Sequence, residues 1–297
     1  MTILAMDFGG TQVKSALVSE QFAIEKSLPT QSSPQTLEQA IDVIDQIVTS
    51  VEADLSGIAI SVPGTVDTNE GVIYHGGLLR FFHGFRIKDI LEARYHLPVA
   101  ALNDGKAAAL AELATGHLQG VNNGAALVLG SGLGGGFIIN GKLFQGSHFQ
   151  AGELTFLLPV QMEKVDPSLM RGMTLSAVGL ITKVNEVLGN SDLKDGLAAF
   201  EAINAGDKKV YPLFESYCRN LAITILNLQT ILDVETFVIG GGISAQPILI
   251  GEVNRQFDKV HHEIDFIGKI IKRPEIVACH HNNGANLIGA AYFLKQK

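Results

Sequence analysis

The chain has 297 residues, 46% of them hydrophobic, and a formal net charge of -8. That length outgrows one ordinary hydrophobic core, so two lobes are expected, and the acidic balance runs against a general binder of nucleic acid or membrane surface, whose footprint is basic. The only cysteines, Cys218 and Cys279, form no CxxC pair, which argues against a disulfide framework or a cysteine-built zinc site and fits a reducing compartment.

No stretch approaches the roughly 18–20 uncharged apolar residues of a membrane span. Residues 1–7 carry no basic leader and reach Asp7 early, so a cytoplasmic protein is expected.

Residues 3–6 form an apolar run that ends at Asp7, the pattern of a buried strand, with a turn at 8–11. Residues 12–18 and 22–28 read as two further strands, giving an antiparallel start. Ser33-Pro34 is expected to open a helix with Leu37, Ala40, Ile41, Ile44, Ile47, Val48 and Val51 on one face. A buried strand at 57–61 runs into Val62-Pro63-Gly64, a short helix covers 86–95, and a strand at 98–102 stops at Asn103-Asp104 before an Ala-rich helix at 106–115.

A strand at 125–129 then precedes a glycine cluster at 130–136. Asn140-Gly141 separates the apolar runs 137–139 and 142–144, a strong hairpin signal. Both halves thus place glycine-rich turns between antiparallel strands, a weak repeat of architecture. The chain is mostly helical from there to a strand at 236–239, which ends in Gly240-Gly241-Gly242-Ile243-Ser244. A late strand covers 275–278. A closing helix at 284–294 gathers Leu287, Ile288, Ala291 and Leu294 on one face. The fold class is α/β.

Three glycine clusters therefore follow three apolar strands. Glycine lets the backbone approach a phosphate, and its N–H groups can form an anion-binding concavity; each cluster alone is equally a tight turn. Gly130-x-Gly132-x-x-Gly135 matches a dinucleotide fingerprint, but that motif must open a helix, and here an apolar run and a hairpin follow. No GxxxxGK[ST] occurs.

Asp104, between a strand and a helix, is a capping residue or a general base. Asp7, before a Gly-Gly turn, makes an Asx-type turn or serves as an outer-sphere carboxylate for Mg²⁺. Glu153 is a solvated loop acid or an acceptor for sugar hydroxyls. The pairs His261-His262 and His280-His281 lack helical metal spacing and are expected on the surface. Cys218 shares helical spacing with Phe214, Leu221, Ala222 and Ile225, so it is expected in the core.

Asp7-Phe8-Gly9-Gly10-Thr11, Val62-Pro63-Gly64, Asn103-Asp104, the 130–136 cluster, Ala151-Gly152-Glu153 and Ile239-Gly240-Gly241-Gly242-Ile243-Ser244 occur together in this order. In this the whole chain resembles the ROK family (repressors, open reading frames and kinases). The resemblance implies an actin-like ATPase fold, related to hexokinase and ribonuclease H, with two α/β lobes and a central cleft. It implies a smaller lobe of 1–104 plus 284–297 and a larger one of 105–283.

The implied activity is transfer of the γ-phosphate of ATP, with Mg²⁺, to the terminal primary hydroxyl of a hexose, an N-acetylhexosamine or a β-glucoside. Asp104 would be the catalytic base. Gly64, Asn103, Asp104 and Glu153 would face the sugar. Asp7, Gly9, Gly10 and Thr11 would form the first phosphate loop, with Asp7 reaching Mg²⁺ through water. Gly132, Leu133, Gly134 and Gly135 would form the second, and Gly240, Gly241, Gly242 and Ile243 would border the adenosine. A homodimer is implied, with no nucleic-acid or membrane partner.

The chain departs from the family pattern after Glu153. Many members carry Gly-Glu-x-Gly-His and a cysteine-rich zinc loop; here Phe156 stands at the His position, Thr174 falls near the place of a loop Glu, and 164–175 has no cysteine. No structural zinc is expected. A more apolar anomeric side would suit a glycoside or an N-acetylated sugar; alternatively Phe156 packs where zinc would hold the loop. The rival reading is a sugar-sensing regulator or binding protein without catalysis. The first strand starts too early for a preceding DNA-binding module, which favours the enzyme.

Overall fold

The computed structural model describes residues 2–158, 164–263 and 266–297. The chain opens with β1 (Thr2–Phe8), β2 (Gln12–Val18), β3 (Ile24–Ser27) and β4 (Gln31–Ser32). Helix α1 (Leu37–Thr49) begins later than Ser33-Pro34, because Thr36 caps it by accepting the Gln39 N–H at 3.2 Å. After β5 (Leu55–Val62) comes a small sheet that the sequence reading lacks: β6 (Thr65–Asp67), β7 (Val72–Tyr74) and β8 (Phe85–Arg86). Such short strands carry too few residues for a periodic signal. Then follow α2 (Ile87–Tyr95), β9 (Val99–Asn103), α3 (Asp104–Thr115), β10 (Gly124–Leu129), β11 (Leu133–Ile139) and β12 (Lys142–Phe144). Strand β11 starts inside the glycine cluster, so only Gly130, Ser131 and Gly132 remain as the turn.

The helical stretch comprises α4 (Arg171–Thr174), α5 (Ala177–Leu188), α6 (Gly196–Asn204) and α7 (Tyr211–Leu232). Strand β13 (Thr236–Gly240), α8 (Pro247–His262), α9 (Ile267–Ile270), β14 (Glu275–Ala278) and α10 (Ala285–Lys295) complete the chain. Among the described residues, no helix is long and apolar enough to cross a membrane.

Two compact units result. The first comprises Met1–Gly120, Gly136–Gly152 and Asn283–Lys297; the second comprises Val121–Gly135 and Glu153–Asn282. The division expected at 104/105 is thus displaced, for a packing reason. Helix α10 lies so close to α3 that a Cβ at Gly289 would stand 1.7 Å from the Ala107 carbonyl oxygen. Strand β11 also approaches α3: a Cβ at Gly136 would stand 2.9 Å from the Gly105 carbonyl oxygen. Backbone approaches of this kind bind 105–120 and 136–152 to the first unit.

The first unit is built on a sheet of order β3-β2-β1-β5-β9, with β4 added beside β2. Strands β1, β5 and β9 are parallel, while β2 and β3 run antiparallel to them. Alternation along β1 divides its side chains between two faces. Leu4, Met6 and Phe8 join Ile58, Ile60, Val62, Ile44, Ile47, Phe82 and Leu91 in the larger core. Ile3 and Ala5 join Ala16, Val18, Ala59, Leu287, Ala290 and Ala291 on the other face. The second face is rich in alanine, which lets α10 lie close to the sheet.

In the second unit β10, β13 and β14 are parallel, with Val128 opposite Gly240. The strand order of that sheet is β12-β11-β10-β13-β14, and the unit boundary falls within β11. Cys218 is fully buried on α7 with Phe214, Leu221, Ala222 and Ile225. Burial pushes its thiol well above the ordinary cysteine range, so it is inert. His261 departs from the surface expectation: it is buried, with Nε2 2.7 Å from the Ile271 carbonyl oxygen.

Replacing Gly289 by alanine forces α10 off α3. We expect a loss of about 1–3 kcal/mol, the usual cost of overpacking, read as a lower urea midpoint with little change in slope.

Candidate active site

Three adjacent parallel strands end side by side in the first unit. Asp7 near the end of β1 pairs in register with Ser61 of β5, and Val62 of β5 pairs with Asn103, the last residue of β9. In open α/β sheets, ligands bind beyond the carboxyl ends of parallel strands. Asp7, the turn after β5 and the Asn103-Asp104 junction all open onto that edge.

Each of these is held by local bonds. Asn103 is the N-cap of α3: its Oδ1 accepts the Lys106 N–H at 3.2 Å, and its Nδ2 donates to the Gly64 carbonyl at 2.9 Å. Asp104 is the first residue of α3, and its Oδ1 accepts the Gly105 N–H at 2.8 Å. The capping role thus falls to Asn103, and Asp104 projects a half-buried carboxyl from the first turn. Gly64 has φ +90, and a Cβ there would meet the His75 carbonyl oxygen at 2.2 Å; only glycine fits this turn.

The first glycine turn is closed by Gly9 N–H donating to the Gln12 carbonyl at 2.9 Å. The Ser33 hydroxyl donates to the Gly9 carbonyl at 2.8 Å, and Ser33 N–H to the Thr11 carbonyl at 3.1 Å. Ser33, expected to open a helix, instead pins this loop. Thr11 is exposed, and Gly10 lies under Leu78, whose Cδ1 would be 2.7 Å from a Cβ placed there.

Asp7 is partly buried. Desolvation raises its pKa above the ordinary carboxylate value. The Ser61 hydroxyl, the Asn286 side chain and the charge of Lys14 oppose the shift without cancelling it. Asn286 Nδ2, from the first turn of α10, donates to Asp7 Oδ1 at 3.1 Å. Lys14 is the register partner of Asp7 across β1–β2. The Ser61 hydroxyl is fully buried close to the Asp7 carboxyl, and among the described residues no partner meets full hydrogen-bond geometry with it. A desolvated carboxylate beside an unsatisfied hydroxyl suits a hydrated divalent cation such as Mg²⁺, which binds through one carboxylate and keeps most of its waters.

In the second unit, the other two glycine clusters meet. Gly241 has φ +97, and a Cβ there would come within 2.0 Å of the Leu129 carbonyl oxygen. The turn after β13 therefore lies directly on the end of β10. The Gly130 carbonyl accepts the Ala177 N–H at 2.9 Å, and the Ser244 hydroxyl donates to the Gly241 carbonyl at 2.8 Å. Gly242 is exposed with open space around it, while Ile243 is buried.

Thr155 anchors the second cluster. Its Oγ1 accepts the Leu133 N–H and donates to the Leu133 carbonyl, both at 3.1 Å, and a Cβ at Gly132 would lie 2.8 Å from it. Gly134 and Gly135 continue into β11. Glu153, half-buried, precedes a short 3-10 turn, Leu154–Phe156, and its carbonyl accepts the Phe156 N–H at 3.3 Å. The Phe156 ring is 64% exposed, so it does not fill a core position.

The first unit thus gathers Asp7, Gly9, Gly10, Thr11, Gly64, Asn103 and Asp104, and the second gathers Gly132, Leu133, Gly134, Gly135, Glu153, Gly240, Gly241, Gly242 and Ile243. Sequence reasoning missed Asn286, Ser61, Ser33 and Thr155. Each is a single polar residue whose partner is distant in the chain, so spacing carries no sign of it. Among the described residues, no three His, Cys, Asp or Glu side chains gather as a metal cluster.

An aspartate whose folded-state pKa lies above its unfolded value of about 3.9 holds its proton more tightly in the folded chain. Stability is then lost as pH rises from the unfolded value through the raised one. Asp7→Asn keeps an acceptor for Asn286 and removes the buried charge. We expect a higher Tm at pH 7.5 without nucleotide or metal, by ~2–4 °C for each kcal/mol gained. The gain should shrink as pH falls toward 4; a scanning calorimetry series in pH checks it.

The family model for ROK proteins matches residues 3–297. A β-glucoside kinase of Listeria monocytogenes is 29% identical over 299 residues, covering 100% of this chain and 98% of its own. A ROK family protein of Streptococcus pneumoniae TIGR4, solved with sucrose, superposes with a TM-score of 0.86 at 33% identity and covers 100% of this chain and 98% of its own. A ROK family glucokinase of Streptomyces griseus, solved with glucose and AMPPNP, has a TM-score of 0.84 at 24% identity, covering 100% of each chain; it shares the actin-like ATPase fold. With the three glycine clusters and the Asn-Asp junction in place along a fully matched chain, this protein belongs to the ROK family.

Proposed function

We propose that the protein is an ATP-dependent sugar kinase that transfers the γ-phosphate to a primary hydroxyl of a hexose, an N-acetylhexosamine or a β-glucoside. The observation that carries this reading is the shared carboxyl edge of β1, β5 and β9, which places the Asp7 carboxylate, the Gly64 turn and Asn103-Asp104 on neighbouring strand ends. One end serves phosphate and metal, and the other the acceptor. Among acceptors, a β-glucoside is favoured by two features. The Listeria relative is a β-glucoside kinase, and Phe156 offers an exposed aromatic face three residues after Glu153, suited to an apolar aglycone.

In this reading Asp104 accepts the proton of the acceptor hydroxyl as its oxygen attacks the γ-phosphorus. The bond from that phosphorus to the bridging oxygen breaks, and ADP leaves with the electron pair. Asn103 and Gly64, locked to one another, and Glu153 hold the sugar hydroxyls. Asp7, Ser61 and the backbone of Gly9, Gly10 and Thr11 would hold the phosphates and a hydrated Mg²⁺, which would supply neutralisation of the phosphate charge. Gly132, Leu133, Gly134 and Gly135 form the second phosphate loop, and Gly240, Gly241, Gly242 and Ile243 border the adenosine.

A coupled ADP-release assay tests this with Mg-ATP and a panel of glucose, mannose, N-acetylglucosamine, N-acetylmannosamine and cellobiose. Turnover is expected with at least one sugar. Asp104→Asn should lower kcat by about 10²–10⁴-fold, the usual weight of a general base, while sugar-induced stabilisation remains. Sugar binding without turnover in the wild type would favour a sensing protein instead.

A further inference from the structure

Lys106 is 1% exposed, a lysine buried in the first turn of α3, two residues after Asp104. A buried ammonium demands strong partners. Its Nζ donates to the Phe149 carbonyl oxygen at 2.5 Å, a short charge-assisted bond. Its backbone N–H already serves the Asn103 side chain, which in turn holds the Gly64 carbonyl. One unbroken line of bonds therefore runs from Gly64 through Asn103 and Lys106 to Phe149.

Phe149 sits in an unusual loop. Residues 145–151 close on themselves through the Ala151 N–H donating to the Gln145 carbonyl at 3.1 Å, and the Thr68 hydroxyl donates to Gln145 Oε1 at 3.0 Å. Inside the loop Phe149 has φ +56, flanked by Gly146 at +73 and Gly152 at +92. A bulky side chain rarely adopts that conformation and keeps it only when its surroundings overdetermine it. The carbonyl held by Lys106 belongs to this residue, and the loop leads straight into Gly152-Glu153.

We propose that Lys106 is a positioning residue for the acceptor. Its ammonium holds the 145–152 loop in its strained form and so presets Gly152, the residue before Glu153, relative to the Asn103-Asp104 end of α3. The role rests on the kinase reading for its consequence, but the clamp itself does not. Lys106 is assigned to the acceptor side because its bonds to the Asn103 side chain and the Phe149 carbonyl join that side of the first unit.

Two variants test it. Lys106→Met keeps the length and removes the ammonium; Phe149→Gly frees the carbonyl to turn, since glycine takes either sign of φ, and retains the buried lysine. Both are expected to raise the acceptor KM by about tenfold to a hundredfold, the scale of a small misplacement, with the ATP KM within about twofold. Hydrogen exchange of amides 146–152 should quicken in both, ahead of the sheet amides of β1 and β5. A structural role alone would lower Tm and active fraction without splitting the two KM values. Equal KM changes, or an unmoved acceptor KM, overturns the proposal; if Lys106→Met does not fold, Phe149→Gly decides. If the wild type phosphorylates no sugar, the kinase reading fails by itself. The clamp is then judged on exchange alone, and unchanged exchange in 146–152 overturns it.

Discussion

The parallel register of β1, β5 and β9 is the constraint on which the candidate site depends. Because Asp7 stands opposite Ser61 and Val62 opposite Asn103, three turns emerge at one edge within strand spacings of about 5 Å. A slip of one residue in either pairing would turn Asp7 or Asn103 to the opposite face, into the apolar packing of Leu4, Met6 and Phe8 or of Ile3 and Ala5. The same alternation that fills the two cores therefore also sets the direction of the chemistry-bearing side chains. The small residues on the α10 face matter here as well. They let the closing helix come close enough for Asn286 to reach Asp7 at 3.1 Å, so the last helix helps build the site at the end of the first strand.

Charge at this edge is kept at a cost. The Asp7 carboxylate is desolvated, and Ser61, Asn286 and Lys14 compensate only partly. A fold selected for stability alone would place an amide or an apolar residue there; in the proposed kinase reading the carboxylate is kept for a cation. The buried Lys106 has the same character, with its ammonium used to hold a backbone carbonyl in a conformation the chain would otherwise leave. Both residues store local strain or desolvation where the proposed chemistry needs fixed geometry.

The glycine clusters divide into distinct physical roles. Gly64 and Gly241 are required by positive φ and by backbone oxygens that leave no room for a Cβ. Gly132 is required by Thr155, and Gly10 by Leu78. Gly242 has open space around it, so steric crowding does not explain it, and in the proposed kinase reading it offers exposed backbone to the nucleotide. A tight turn and a phosphate-facing backbone are thus compatible readings of one cluster, each satisfied by different glycines.

The sequence by itself determined the α/β class, most strands of both sheets, the burial of Cys218 and the membership of the family, because those follow from apolar periodicity and from motifs that are contiguous in the chain. It placed Asp7, Asn103 and Asp104 at strand ends for the same local reason. The small β6–β8 sheet, the displaced start of α1, the burial of His261 and the grouping of α3 with the first unit were decided by tertiary structure. So were Asn286 at Asp7, Ser33 at Gly9, Thr155 at Leu133 and Lys106 at Phe149. Each joins residues that no helical or strand period relates, and their pairing exists only once the sheet register and the close approach of α10 to α3 have brought distant backbones together.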